Sequence, residues 1–201
     1  WLDDSPLRKV SKPKEPRGRV RFLSDDEREI LLVACKQSKA PYLYPLVVLA
    51  LSTGARRGEL LGLTWGDIDL KRKVAILHKT KNEERRALPL AGHALDCVEK
   101  LSEIRRIDTN LLFPDETGKK PVEIRPAWEK VLKEAKLKDF KFHDLRHSAA
   151  SYLAMNGASL AEIAEVLGHK TLQMVKRYSH LSEQHTADVV SRMNKKIFGG
   201  R

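Results

Sequence analysis

Three short motifs in the second half of the chain contain the residue types that phosphodiester chemistry needs. The first, from His143 to His147, places a histidine and an arginine three residues apart, and on a helix such residues share a face. A second histidine, His169, follows Gly168, and Tyr178 comes nine positions later. A cation beside a histidine and a tyrosine could hold a phosphodiester and attack it with the phenol hydroxyl. The alternative is a basic helical surface in which Tyr178 packs in the core.

The order and spacing of these motifs resemble the C-terminal signature of the tyrosine site-specific recombinases, the phage integrase family. That family also has an upstream arginine in a Thr-Gly-x-Arg context and a lysine in a β-hairpin. Thr53-Gly54-Ala55-Arg56 and Lys81 match those places, so the resemblance covers nearly all of residues 23–190. It implies the following catalytic residues: Arg56, Lys81, His143, Arg146, His169 and Tyr178.

The resemblance also implies a reaction. Arg56 and Arg146 would clamp the phosphate, and His169 would add a hydrogen bond. Lys81 would protonate the leaving 5′ oxygen, while His143 would accept the tyrosine proton or stabilise the group that does. The product would be a 3′-phosphotyrosyl link and a free 5′ hydroxyl.

No cofactor is expected for this chemistry. The sequence has no phosphate-binding glycine-rich motif for ATP. Asp67 and Asp69 are interpreted as structural, because a two-metal nuclease needs a larger set of carboxylates. The histidines His143, His147 and His169 could in principle hold zinc, but no cysteine or carboxylate lies at a matching spacing.

The composition is that of a basic globular protein. The 201 residues carry a formal net charge of +11, which favours a polyanionic partner such as nucleic acid. Cys35 and Cys97 lie in apolar, helix-like surroundings, so we expect no disulfide framework and a reducing, cytoplasmic setting. No apolar run is long enough to cross a membrane.

The pattern of apolar residues predicts an α+β fold that is mostly helical, with one small antiparallel sheet. Ser24 and Glu27 form a capping-box pattern, which predicts a helix to about Lys39 that buries Ile30, Leu31 and Ala34. The apolar run 46–51 predicts a central core helix that ends near Gly54.

The middle of the chain predicts the sheet. Residues 74–77 and 86–90 have strand character and flank a polar turn with two lysines, of which Lys81 fits the family position better than Lys79. Upstream of the strands, Glu59 could orient Arg56 on one helical face, or form an ordinary surface salt bridge.

Helices are predicted over residues 91–105, 124–135, 143–156, 159–168 and 182–197, with a short helix from Thr171 that carries Tyr178. The last helix is amphipathic. It could pack on its own domain, or on a neighbouring protomer as the resemblance implies.

Residues 1–22 predict a basic linker, either a solvated tail or a segment that follows DNA phosphates, and residues 23–201 predict the catalytic domain. The resemblance implies double-stranded DNA as partner, a homo-tetramer on two DNA sites, and a further DNA-binding domain upstream of this chain. Two other functions stay open: strand relaxation like that of a type IB topoisomerase, and non-catalytic DNA binding by the same fold.

Overall fold

The computed structural model describes residues 21–78 and 85–199, so nearly all of the predicted linker and the predicted hairpin turn lie outside the described residues. The described chain is mostly helical with one three-stranded antiparallel sheet, as predicted. The helices are α1 (Asp25–Gln37), α2 (Leu43–Thr53), α3 (Arg57–Leu61), α4 (His93–Glu103), α5 (Arg125–Glu134), α6 (Asp144–Met155), α7 (Leu160–Leu167) and α8 (Glu183–Phe198). The strands are β1 (Ile68–Asp69), β2 (Val74–Leu77) and β3 (Arg86–Pro89), and 3₁₀ turns span Trp65–Asp67, Leu172–Met174 and Lys176–Ser182.

Helix α2 is the centre of the larger core. Its residues 45–50 are all buried, because α1, α4 and α6 pack against it. The helix ends where Gly54 adopts a left-handed conformation (φ 61°) and donates its N–H to the carbonyl of Ala50. The predicted core helix and its glycine stop are therefore confirmed.

Helix α1 begins at the predicted capping box, in which Ser24 and Glu27 bond each other's backbone N–H groups. Leu31 and Ala34 are buried against α2 and α5, but Ile30 is 51% exposed, so the prediction that Ile30 is buried was wrong. The buried stripe of α1 runs through Leu31, Ala34 and Cys35, and Ile30 lies outside it.

The sheet has the order β1-β2-β3, and Leu77 pairs with Arg86 where β2 ends and β3 begins. Side chains alternate between the two faces of a strand, so Arg86 lies on the same face as the buried Leu88. This register directs a charged side chain into the protein beside the predicted hairpin turn.

A second, smaller core joins α6, α7 and the 3₁₀ turns. It contains Ala150, Ala154, Ile163, Leu167, Val175 and Tyr178. Helix α6 contributes to both cores, since its Leu145 belongs to the larger one. Helix α6, which carries Arg146, therefore lies where the two cores meet.

Two further predictions concern the whole chain. Cys35 and Cys97 are both free and buried, as expected. None of the helices in the described part of the chain has the length and apolar character needed to span a membrane.

Candidate active site

Arg146 lies on the first turn of α6 and is 4% exposed. Its Nη1 donates to the carbonyl of Gly54 and its Nη2 to the carbonyl of Leu167, each at 2.7 Å. The guanidinium thus ties the end of α2 to the end of α7. Burial, with Arg56 and Arg86 nearby, lowers the pKa of Arg146 to about 10, so the group stays charged at neutral pH.

Arg56 precedes α3 and is held by Glu59. The Glu59 carboxylate accepts hydrogen bonds from the Arg56 backbone N–H at 2.8 Å and from its Nη1 at 2.7 Å. Because the Glu59 side chain is only 6% exposed, this pair is not an ordinary surface salt bridge. Glu59 therefore orients Arg56, the first of the two alternatives that the sequence left open.

Arg86 is the third guanidinium of the site, and the sequence did not single it out. Its Nη2 donates to Glu59 at 2.9 Å and its Nη1 to the carbonyl of Val166 at 2.7 Å. Burial lowers the pKa of Arg86, while the Glu59 carboxylate opposes that shift. Arg56 and Arg86 share the Glu59 carboxylate, and Arg146 adds a third guanidinium nearby, which leaves a net positive field suited to an anion.

His169 follows the left-handed Gly168, where a Cβ atom would lie 2.8 Å from Nη1 of Arg86. Its backbone N–H is bonded to the carbonyl of Ala164 at 2.8 Å. Burial and the neighbouring Arg146 lower the pKa of His169 to about 4, so the ring is neutral at pH 7. Its Nδ1 is buried and has no hydrogen-bond partner among the described residues, which leaves the ring free to bond a ligand.

Tyr178 lies in the 3₁₀ turn Lys176–Ser182 and is 2% exposed. Its hydroxyl is 2.5 Å from Nδ1 of His147 on α6. Burial raises the pKa of Tyr178, so the phenol is protonated at neutral pH. The side chain has almost no exposed surface in this structure.

Two histidines of α6 stand next to each other beside the tyrosine. His143 directly precedes Asp144, the first residue of α6, and its ring is 5.3 Å from that of His147 in a T-shaped arrangement. Burial and Arg146 lower the pKa of His143, and burial together with His143 lowers the pKa of His147 to about 4. Sequence reasoning considered His147 only as a zinc candidate, although its spacing of four from His143 places both on one helical face.

The structure thus brings Arg56, Arg146 and His169 into one electrostatic cluster, with Tyr178 beside Arg146 and His143 one turn away. Lys81 lies outside the described residues, although the strands on either side of its turn form as predicted. In the described part of the chain, no three histidine, cysteine or carboxylate side chains are grouped to hold a metal ion. Asp67 has a structural contact, since it accepts from the backbone N–H of Thr64 at 2.7 Å.

Comparison with known proteins gives one consistent family. The sequence model of the phage integrase family matches residues 21–185. The chain is 32% identical to the integrase of Salmonella phage P22 over 98% of this chain and 52% of that protein. It is 35% identical to a shufflon-specific DNA recombinase of Escherichia coli over 88% of this chain and 44% of that protein. The chain spans about half the length of these relatives.

Solved structures agree in fold. The catalytic domain of bacteriophage HP1 integrase superposes with a TM-score of 0.68 at 26% identity, over 91% of this chain and all of that one. The XerH site-specific recombinase, bound to palindromic difH substrate in a post-cleavage complex, superposes with a TM-score of 0.74 at 23% identity. That second alignment covers 95% of this chain and 59% of XerH, and it supports the fold.

Proposed function

The chain belongs to the phage integrase family, and on that premise we propose that it is the catalytic domain of a site-specific DNA recombinase. It cuts and rejoins DNA through a covalent 3′-phosphotyrosyl intermediate, with no metal ion and no ATP. The observation that carries the proposal is the position of Tyr178, whose hydroxyl lies in the same buried cluster as Arg146. Residues 23–201 form the catalytic unit, and residues 1–22 form a linker to it.

The arginines bind the scissile phosphate. Arg56 and Arg146 contact its non-bridging oxygens, and the neutral His169 donates a further hydrogen bond. Their contacts with Glu59 and with two backbone carbonyls support this role, because they fix both guanidiniums before DNA arrives. Preorganised donors of this kind typically contribute about 3–4 kcal/mol each to the transition state.

Cleavage begins when the Tyr178 oxygen attacks phosphorus and the bond to the 5′ oxygen breaks. The tyrosine proton moves to the histidines at the start of α6. His143 accepts this proton or stabilises the group that accepts it. Lys81 gives a proton to the departing 5′ oxygen as general acid. The phosphotyrosyl link keeps the energy of the phosphodiester, so a second 5′ hydroxyl reverses the same steps and rejoins the strand.

The partner of this domain is double-stranded DNA, and four chains assemble on two DNA sites. The net charge of +11 supports a DNA partner. The structures of XerH with difH and of the Tn1549 integrase with circular intermediate DNA are complexes of related folds with DNA. Assembly has support in α8, whose apolar side chains Val189, Val190, Met193 and Ile197 are exposed in the single chain.

Covalent trapping tests the proposal. The full-length chain is incubated with nicked duplexes from which the cleaved strand diffuses away, and denaturing gels with peptide mass analysis locate attached DNA. We expect attachment at Tyr178, and we expect Tyr178→Phe to bind DNA without forming the adduct. Cleavage by Tyr178→Phe would refute the assignment of the nucleophile.

The competing functions give different outcomes. Relaxation of supercoils by the monomer without strand exchange would favour a topoisomerase of type IB. DNA binding by the full-length chain without any adduct would favour a non-catalytic DNA-binding protein.

A further inference from the structure

We propose that His147 is a catalytic residue that holds the Tyr178 hydroxyl and accepts its proton during attack on phosphorus. The proposal rests on the function proposed above and names the proton acceptor that it leaves open. The distance of 2.5 Å from Nδ1 to the hydroxyl oxygen is that of a short, direct hydrogen bond.

The charge states allow the Tyr178 hydroxyl to donate this hydrogen bond to His147. Burial holds the pKa of Tyr178 above its ordinary value, so the hydroxyl keeps its proton and can donate. The low pKa of His147 keeps the imidazole neutral at pH 7, so one ring nitrogen has a free lone pair. The proposed step assigns Nδ1 as the acceptor, which places the proton of the neutral ring on Nε2.

The position of His147 distinguishes it from His143. Both lie on one face of α6, but it is the ring of His147 that reaches the hydroxyl, while His143 packs edge-on against that ring. Helix α6 is firmly held at this point, because Arg146 donates to two carbonyls and the buried Ser148 hydroxyl accepts from the backbone N–H of Leu23. The acceptor is thus on a rigid element, and the nucleophile is on a short turn.

The surroundings of His147 link proton transfer to the presence of DNA. Burial, His143, Arg177 and Arg146 disfavour the imidazolium, and the carboxylate of Asp144 favours it. A DNA phosphate would bring negative charge into this cluster and ease protonation of the ring. Without DNA, burial keeps the tyrosine protonated, although Arg177 and Arg146 oppose that shift.

The proposed step balances in atoms and charge. The tyrosine oxygen forms its bond to phosphorus while its proton moves to Nδ1 of His147, and the bond to the 5′ oxygen breaks as Lys81 supplies that oxygen with a proton. In rejoining, the imidazolium returns its proton to the tyrosine oxygen. His147 therefore acts as base in cleavage and as acid in rejoining.

The test compares single-turnover cleavage by full-length His147→Asn, His147→Ala and wild type on the nicked duplex. Asparagine keeps an acceptor near the position of Nδ1 but cannot take a proton, and alanine removes both. We expect both variants to bind DNA as the wild type does and to cleave it about 10²–10⁴-fold more slowly. His93→Asn, an exposed histidine on α4, is the control and should cleave normally.

A modified substrate identifies which oxygen His147 serves. Sulfur in place of the bridging 5′ oxygen leaves without being protonated, so this substrate should restore cleavage to Lys81→Ala but not to His147→Ala. Restored cleavage by His147→Ala would overturn the proposal, because His147 would then act on the leaving group.

Other outcomes also overturn it. If His147→Asn cleaves at the wild-type rate, His147 only positions the tyrosine. If His147→Ala cleaves faster than the wild type, the contact restrains Tyr178 and does not help it to react. If wild type itself forms no adduct, the proposed function fails, whereas a normal adduct and rate in both variants defeats only the role of His147.

Discussion

Arg86 should be the most stability-sensitive charged residue on the sheet, and Arg86→Ala tests this. The side chain is 11% exposed and connects three separate elements: β3, the carboxylate of Glu59 on α3, and the carbonyl of Val166 on α7. The next residue along the chain, Arg85, is exposed, so Arg85→Ala removes the same chemical group from the same strand end without touching the cluster.

The expected loss follows from these contacts. Removing one partner of a buried ion pair costs about 3–5 kcal/mol, because the other charge remains buried. Glu59 keeps Arg56 as a partner, and Arg86→Ala also removes an Nε atom that is buried without a hydrogen bond. Both effects favour the lower end, about 3 kcal/mol. In a chain of this size that corresponds to a fall in Tm of roughly 6–12 °C.

Urea unfolding followed by circular dichroism measures this difference. Arg85→Ala should change the free energy of unfolding by less than about 0.5 kcal/mol. Arg86→Ala should also cleave more slowly, since Glu59 and the loop before His169 lose a shared contact. Equal midpoints for the two alanine variants would show that the cluster does not hold these elements together.

Two further predictions concern the backbone and pH. Gly54→Ala should destabilise the fold by about 2–5 kcal/mol in urea unfolding, because a Cβ atom there meets Leu167 and φ is +61°. The control is Gly58→Ala, which should be tolerated because its added Cβ meets nothing within 4 Å. Equal losses of stability in the two variants would contradict the reasoning. The free energy of unfolding should be constant above about pH 6.5 and fall toward pH 4. The pKa values of His147 and His169 are about 4 in the folded protein, against 6.5 ordinarily. Between these values the unfolded chain binds more protons than the folded protein, so acid favours unfolding. The free energy of unfolding should change by at most about 1.4 kcal/mol per pH unit for each histidine, and by less with solvent screening. His147→Asn should reduce this pH dependence, and an unchanged pH dependence in that variant would contradict the prediction.

The parts of the fold that were predictable depend on neighbours in the sequence. The capping boxes at Ser24 and Ser159 and the left-handed glycines Gly54 and Gly168 involve contacts within a few residues, so the sequence contains the whole signal. The error at Ile30 had a different cause, because the width of a buried helical stripe depends on which elements lie above it.

The site was predictable only in part. The family resemblance led to Arg56, Arg146, His169 and Tyr178, but the contacts that orient them join distant parts of the chain. Arg86 meets Glu59 and Val166 across 27 and 80 residues, and His147 meets Tyr178 across 31. No local pattern in the sequence could name the partners of Arg86.

The two carbonyl contacts of Arg146 also bear on how readily the site binds an anion. A guanidinium has five N–H donors in a fixed plane, and these contacts use two of them, on different terminal nitrogens. The remaining three are held in one orientation by the fold. Ordering a long side chain costs up to about 1.5–2 kcal/mol of conformational entropy. For Arg146 this cost arises when the protein folds, before any anion binds. A phosphate therefore meets a cation that is already immobilised, and its affinity is not reduced by the ordering of that side chain.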